Sequence, residues 1–249
     1  MKLGGHTVLI TGGSNGIGLA MAERFLNAGS EVIICGRRAD KLEDAQMKFP
    51  KLHTRICDVA KELERIALFK WVEKEFPKLN ILVNNAGIQD RFKLTDGHQE
   101  WEQHRCEIAI NLGAPIHLSI LFVPLLQKNK EAAIINVSSG LAFTPMSIAP
   151  VYCATKAGIH SFTMSLRYQL SSANIKVIEI VPPAVQTDLG GANLHTFGVP
   201  LNEFADAVFK RIEEGELEIG YATSEKGRKA SREEIDLIFG QLNDRVRHS

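Results

Sequence analysis

An excess of charge of either sign is missing from this chain: 29 Lys and Arg stand against 29 Asp and Glu, for a formal net charge of zero. That balance offers no electrostatic footprint for nucleic acid or for an anionic membrane surface. Long apolar runs are missing too. The longest, Ile116 to Leu126, falls well short of the roughly 20 residues that span a bilayer and contains Pro124. Cysteine is scarce and scattered. Cys35, Cys57, Cys106 and Cys153 show no CxxC or other metal spacing, which fits reduced thiols in a cytoplasmic protein. None of the histidines falls in a ligand pattern, and His104 followed by Cys106 lacks the rest of a zinc set. No G-x-S-x-G elbow marks a nucleophilic hydrolase. The opening Met1-Lys-Leu-Gly-Gly-His-Thr runs into an expected strand without a signal-peptide pattern. No repeat, low-complexity tract or linker divides the chain. The expectation is one domain over 1–249, without metal, nucleic-acid partner or membrane.

What is present is a repeating βα texture. Thr7–Thr11, Glu31–Cys35, His53–Cys57, Ile81–Asn84, Ala133–Ser138 and Lys176–Val181 read as strands rich in Val, Ile and Leu. Such continuous apolar content suits a parallel sheet covered on both faces. Gly16–Ala28, Ala39–Phe49, Ala60–Phe76, a long segment within Asp96–Lys128, and Pro150–Ser172 read as helices. The alternation predicts a doubly wound parallel sheet of the Rossmann type, with helices on both faces. Beyond residue 181 the texture changes. Residues 188–200 form a glycine-rich loop, Leu201, Phe204, Ala205, Val208, Phe209 and Ile212 make a helical stripe, and Glu218–Ala222 reads as a final strand. Thr223–Ala230 reads as a polar surface link. Ser231 with Glu234 then resembles a capping box that opens a last helix with Ile235, Ile238, Phe239, Leu242 and Val246 on its apolar face.

The first strand runs into Thr11-Gly12-Gly13-Ser14-Asn15-Gly16-Ile17-Gly18 and a helix. Glycines let a backbone turn tightly against a pyrophosphate, whose charge is met by amides at the helix N-terminus. The spacing Gly12-x-x-x-Gly16-x-Gly18 differs from the common dinucleotide fingerprint, and alone it also fits an ordinary tight connection. The second strand ends in Cys35-Gly36-Arg37-Arg38. An NAD site usually places a carboxylate there for the ribose hydroxyls; two guanidiniums suit a 2′-phosphate instead, so NADP(H) is favoured over NAD(H). The bland alternative is that Arg37 and Arg38 begin a solvated helix. Asp58, at the end of the third strand, is placed to accept from an adenine amino group, as any exposed strand-end aspartate would be.

Further on, Tyr152 and Lys156 stand four residues apart on an expected helix, with Ser139 thirteen positions upstream. Residues i and i+4 share a helix face. A phenol titrates near 10, and a neighbouring cation is expected to bring that value down toward general acid/base work. Side chains alternate along a strand, so Ser138 and Ser139 face different ways, and spacing assigns the site to Ser139. His160 and Trp101 read as packing or surface residues.

Together these motifs, in order Thr11-Gly-x-x-x-Gly-Ile-Gly18, Asp58-Val59, Asn84-Asn-Ala-Gly87, Asn111, Val137-Ser-Ser139, Tyr152-x-x-x-Lys156 and Val181-Pro-x-x-x-x-Thr187, resemble the short-chain dehydrogenase/reductases over essentially the whole length. Ile134-Ile-Asn-Val-Ser-Ser-Gly-Leu-Ala-Phe and Val181-Pro-Pro-Ala-Val are most similar to bacterial oxidoreductases of the DltE type. The resemblance implies that Ser139, Tyr152, Lys156 and Asn111 are catalytic. Hydride would pass between the nicotinamide and a carbonyl or secondary alcohol while Tyr152 exchanges the proton, with Ser139 orienting the oxygen. Lys156 would also bind the nicotinamide ribose, and Asn111 would hold a water linking Lys156 to solvent. Asn84, Ala86 and Gly87 would line the adenosine-ribose side and steady the central sheet. Thr187, with the backbone of Val185 beyond Pro182, would hold the carboxamide. The chain departs from the family at Pro182-Pro183, where Pro-Gly is usual, and Pro183 has no amide to donate. Homodimers or homotetramers are usual for such relatives.

The substrate side is expected to be apolar. Leu141, Ala142, Phe143, Pro145, Met146, Ile148 and Pro150 flank the serine and tyrosine without a charge and suit a small neutral carbonyl or alcohol. Gln89, Asp90 and Arg91 add polarity at its mouth, and the 188–200 loop would close over it, with Gly190-Gly191 as hinge. Two alternatives stay open: a non-catalytic NADP-sensing scaffold, and an epimerase or dehydratase of the same fold.

Overall fold

The computed structural model describes residues 1–95, 97 and 100–247, the last two without their side chains. Asp96, where the helical pattern was expected to begin, and the Val246 side chain lie outside the described residues. Seven parallel strands form one sheet in the order β3-β2-β1-β4-β5-β6-β7. They are β1 (Thr7–Thr11), β2 (Glu31–Gly36), β3 (His53–Ile56), β4 (Ile81–Asn84), β5 (Ala132–Val137), β6 (Ile175–Val181) and β7 (Glu218–Gly220). The order reverses between β1 and β4. In open α/β sheets that reversal leaves a crevice beyond the carboxyl ends of the strands, where ligands sit.

Alternation along the strands builds a core on each face. Val8 and Ile10 of β1, Val32 and Ile34 of β2, and Ile81 and Val83 of β4 point one way, toward α1 (Gly16–Asn27), α2 (Ala39–Lys48) and α7 (Leu201–Glu213). Leu9, Ile33 and Leu82 point the other way, toward α3 (Glu62–Glu75), α5 (Ala114–Leu126) and α6 (Pro150–Gln169). Both faces are therefore dry, which is why the strands carry so little polar sequence.

Most strand and helix ends move by one or two residues from the sequence reading. Three differences have physical causes. Helix α3 starts at Glu62 rather than Ala60, because the Ala60 N–H donates to Asp58 Oδ1 at 3.1 Å and holds the chain in a turn. The expected link over Thr223–Ala230 is instead α8 (Thr223–Lys229), with Ser224 and Gly227 buried. The helix that contains the Ile116–Leu126 run is also longer than the run itself: α4 (Trp101–Ile108), a π-helical turn (Ala109–Gly113) and α5 join into one helix, Trp101–Leu126, of 26 residues. By length and composition that helix could cross a bilayer. Here Leu118, Phe122, Leu125 and Leu126 are buried in the core shared with the sheet and with Leu68 and Val72 of α3. The last helix, α9 (Arg232–Arg247), opens with the expected capping box: Ser231 N–H donates to Glu234 Oε2 at 2.7 Å, and Glu234 N–H to Ser231 Oγ at 3.3 Å.

Candidate active site

The glycine loop leaves β1 at the switch point. Gly12 and Gly16 have φ of +64° and +53°, which L side chains rarely adopt. A Cβ on Gly12 would stand 2.8 Å from the Ala86 Cα, so the loop lies against the β4 turn. Ser14 is buried, close to Gly36 at the end of β2. Ile17 packs on the core, leaving its backbone to the loop. Asn15 precedes α1 without a side-chain cap and no acidic residue occupies the first turn, so Gly16, Ile17 and Gly18 present the positive end of the helix. Arg37 and Arg38 follow β2 exposed, their side chains without a hydrogen bond or ion pair among the described residues.

Asp58 and Val59 are more occupied than the sequence suggested. The Asp58 N–H donates to Glu64 Oε2 at 2.6 Å, its carboxylate receives Ala60, and the Val59 carbonyl receives Arg65 Nη1 at 2.6 Å. The two asparagines after β4 divide their work. Asn84 steadies the central sheet, as expected: its Nδ2 donates to Asn136 Oδ1 at 2.9 Å and Ser119 Oγ at 3.3 Å, tying β4 to β5 and α5. Asn85, which the sequence reading left unassigned, donates from Nδ2 to Thr11 O at 2.9 Å and Gly12 O at 3.1 Å. Thr11 Oγ1 receives the N–H groups of Asn85 and Ala86. Strand alternation beyond Asn84 was the available signal.

At the catalytic end, Ser139, Tyr152, Lys156 and Asn111 come together, all buried. Ser139 follows β5 and receives Leu141 N–H on Oγ at 3.1 Å, and its side chain stands close enough to the Tyr152 phenol to lower its pKa. Ser138 points away, donating to Ile180 O at 3.3 Å. Lys156, one turn along α6 from Tyr152, donates from Nζ to Val137 O at 2.8 Å, with Nζ 5.6 Å from the tyrosine ring centroid. Asn111 sits in the π-helical turn. Its Oδ1 receives Ile88 N–H at 2.9 Å, and its Nδ2 donates to Ile88 O at 2.8 Å and to Thr155 Oγ1 at 3.3 Å. Such turns widen a helix locally and recur at functional sites. Gly87 joins the set: a Cβ there would meet Asn111 Oδ1 at 3.4 Å and Lys156 Nζ at 3.7 Å.

The expected acidification of Tyr152 is overturned. Burial pushes its phenol well above the usual value; the nearby Ser139 hydroxyl lowers it, while Cys153 and Glu107 raise it further. Lys156 is committed to the Val137 carbonyl, and burial pushes its own pKa down to about 8, against the charges of Glu107 and Glu179. Glu107, on α4, was not singled out in the sequence. It is fully buried, receives Asp90 N–H on Oε1 at 3.1 Å, leaves Oε2 unpartnered, and is pushed up by burial to about 7.

The loop after β6 returns over the glycines. Thr187 lies beside Gly16, where a Cβ would be 3.4 Å from its Cγ2. Val185 is buried and bridges Val199, closing the base of the 188–200 loop, and the Pro182 carbonyl receives Gly140 N–H at 2.9 Å. Part of the expected apolar wall flanks the tyrosine, where Leu141, Met146 and Ile148 belong to one apolar cluster with Tyr152. Leu141, Ala142, Pro145, Met146 and Pro150 line a groove of about 320 Å³ with Cys153 and with Phe239 of α9, and neither Ser139 nor Tyr152 lines it.

A glycine loop at the sheet's switch point and a buried Ser, Tyr, Lys and Asn group on the adjoining elements define a Rossmann-type α/β protein. A family model described as short chain dehydrogenase matches residues 6–196. The uncharacterized oxidoreductase DltE of Bacillus subtilis (strain 168) is 46% identical over 248 residues, 98% of each chain. A short chain dehydrogenase from Burkholderia cenocepacia J2315 in complex with NADP has a TM-score of 0.83 at 24% identity, over 96% of this chain and 99% of that one. A short chain dehydrogenase/reductase from Burkholderia phymatum in complex with NAD has a TM-score of 0.80 at 19% identity, over 88% and 90%. The chain belongs to the short-chain dehydrogenase family of oxidoreductases.

Proposed function

We propose that the protein is an NADP(H)-dependent carbonyl reductase or alcohol dehydrogenase. The observation that carries this reading is the gathering of Ser139, Tyr152, Lys156 and Asn111 into one buried group, with Lys156 one helical turn from Tyr152 and its Nζ 5.6 Å from the tyrosine ring centroid. The residues fit the dinucleotide: the backbone at Gly12 leaves no room for a Cβ, the first turn of α1 has no side-chain cap, and the Arg37 and Arg38 side chains have no hydrogen-bond or ion-pair partner among the described residues. Gly12 to Gly18 would hold the pyrophosphate, Arg37 and Arg38 the 2′-phosphate, Asp58 the adenine, and Thr187 with the Val185 backbone the carboxamide. When bound, the nicotinamide supplies or accepts the hydride.

The chain's own residues would handle the oxygen and its proton. Tyr152 donates its phenolic proton to the carbonyl oxygen, and Ser139 holds that oxygen and stabilises the charge that grows on it. Burial keeps Tyr152 protonated across the neutral range, which suits the reductive direction. Lys156, protonated below about 8, is the adjacent cation that stabilises the phenolate left behind. Asn111 holds the turn around Ile88, beside Lys156.

Loss of reduced-nicotinamide absorbance with a panel of aromatic and aliphatic ketones tests the reading. Tyr152→Phe is expected to lose about 10²- to 10⁴-fold in kcat, the usual worth of a positioned general acid. A variant as active as the parent would end the assignment. Tight NADPH binding without turnover of any ketone or alcohol would favour the scaffold alternative. Arg37→Asp is expected to shift the NADPH/NADH preference by about tenfold or more toward NADH, through lost charge pairing with the 2′-phosphate. An unchanged ratio would remove the arginine from the site.

A further inference from the structure

Carbonyl reduction needs a proton donor and a hydride, yet the chain just beyond Gly87 carries more charge than that. Arg91 has its Nε buried and without a partner, and it forms no ion pair among the described residues. Its one side-chain hydrogen bond is long, from Nη2 to Gln89 Oε1 at 3.4 Å. His195, from the 188–200 loop, is 8% exposed with both ring nitrogens unpartnered. Burial and then the nearby Arg91 charge lower its pKa, leaving a neutral ring with one N–H to offer; the Leu189 backbone acts the other way without the geometry of a hydrogen bond.

Gln89 is buried where the loop crosses this segment: a Cβ on Gly190 would lie 3.1 Å from its carbonyl oxygen and 3.5 Å from its Oε1. The same loop reaches the apolar cluster that contains the reactive tyrosine, because Leu189 packs against the group formed by Met146, Ala149, Tyr152 and Cys153. Phe92 N–H donates to Ile148 O at 2.8 Å, pinning the 89–92 segment to the loop before α6. Of the nearby carboxylates, Asp90 and Glu107 each accept a backbone N–H on one oxygen. Asp90 Oδ1 receives the Arg91 backbone N–H and its Oδ2 lies 4.0 Å from His104, while Glu107 receives Asp90 N–H. A guanidinium partly withdrawn from water without a counter-charge, opposite an imidazole with nothing to bond, is costly unless an anionic acceptor completes the group.

We propose that Gln89, Arg91 and His195 form an anion subsite, and that the substrate is an oxo acid whose carboxylate docks there while its carbonyl meets Tyr152 and Ser139. This rests on the reductase reading and replaces the neutral substrate expected from the sequence with a charged one. The carboxylate is a handle, unchanged by the reaction: the carbonyl carbon gains hydride, its oxygen gains the tyrosine proton, and a hydroxy acid leaves.

The test compares straight-chain 2-oxo, 3-oxo and 4-oxo acids with their methyl esters, using the full-length protein and NADPH. At least one acid is expected to exceed its ester by about tenfold or more in kcat/KM, the scale of one charge-assisted contact. Arg91→Met should bring that ratio to about one, mainly through KM, with Arg91→Lys retaining part of the preference. NADPH affinity, read by fluorescence titration, should change less than about twofold. Acid and ester turned over equally by the parent would overturn this inference and leave the reductase standing. An Arg91→Met variant that keeps the acid preference but loses NADPH affinity would assign the cation to a nucleotide phosphate, and would also overturn it. No turnover of any acid or ester would overturn the reductase reading and this one with it.

Discussion

Burial of a single carboxyl group gives Glu107 a measurable effect on the whole protein. Its folded-state pKa is raised to about 7, so between the ordinary carboxylate value and 7 the native state binds more protons than the unfolded chain. Stability from this group is fully present below about 4.5 and is lost as pH rises through about 7, at most about 3 kcal/mol for a shift of this size. Melting curves of the parent should therefore fall across that window relative to Glu107→Gln, and parallel curves would show that the carboxyl is already ionised in the folded protein. His160 adds a decline in the same direction. Its bond to buried Glu179 at 2.9 Å raises its pKa, so its contribution is present below about 6.5 and fades as pH rises through the folded value. None of this was legible in the sequence. A glutamate in Arg105-Cys-Glu107-Ile reads as a solvated helix residue until tertiary packing buries it. Tyr152 shows the same limit: the i, i+4 spacing placed Lys156 correctly on the helix, but burial and the Val137 carbonyl decide the direction of the phenol's shift. The adjacent Asn84 and Asn85 are identical letters with opposite duties, separated only by which side of the strand end each leaves.

At the level of elements, the strands and most helices could be read because apolar period and β-branched content agree with burial on both sheet faces. Helix α8 could not, because its stability does not come from an apolar stripe. It is held by Arg228 to Glu225 at 2.8 Å, by Arg211 to Glu225 at 3.2 Å, and by Ser224 Oγ donating to Val181 O at 2.6 Å. These partners lie on β6, α7 and α8 itself, and Ser224 fastens the strand end from which Pro182 leads toward Thr187. The turn into α8 is tight. A Cβ on Gly220 would stand 2.8 Å from the Glu225 Cα, a backbone atom that cannot rotate aside. Gly220→Ala is expected to cost about 1–3 kcal/mol, seen as a lower melting temperature, as the backbone shifts to relieve the overlap. An unchanged melting temperature would mean that β7 and α8 separate freely. That the apolar segment 141–150 also meets α9 was illegible for a comparable reason. Its covering partner, α9, comes some ninety residues later in the sequence, where Asn243 accepts Ser147 N–H at 2.6 Å and donates to Pro145 O at 3.1 Å.

The molecule as a whole leaves part of its helical layer uncovered. Ile120 of α5 and Met164 and Tyr168 of α6 are 64%, 53% and 84% exposed, on helices that cover the same face of the sheet. Apolar side chains on neighbouring helices suit a second copy of the chain, related by two-fold symmetry. Light scattering is expected to give a dimer or tetramer for the parent and a smaller species for an Ile120→Lys, Met164→Lys variant. A monomeric parent would remove the association.

The 188–200 segment is held at its base where Val185 meets Val199, and Gly190 and Gly191 within it have φ of +77° and +149°. Were this segment the flap of the proposed reductase, a swing about the two glycines would be confined to the span above that bridge, and escape of the finished molecule would be a step with its own barrier, adjustable there while the bond-making groups stay in place.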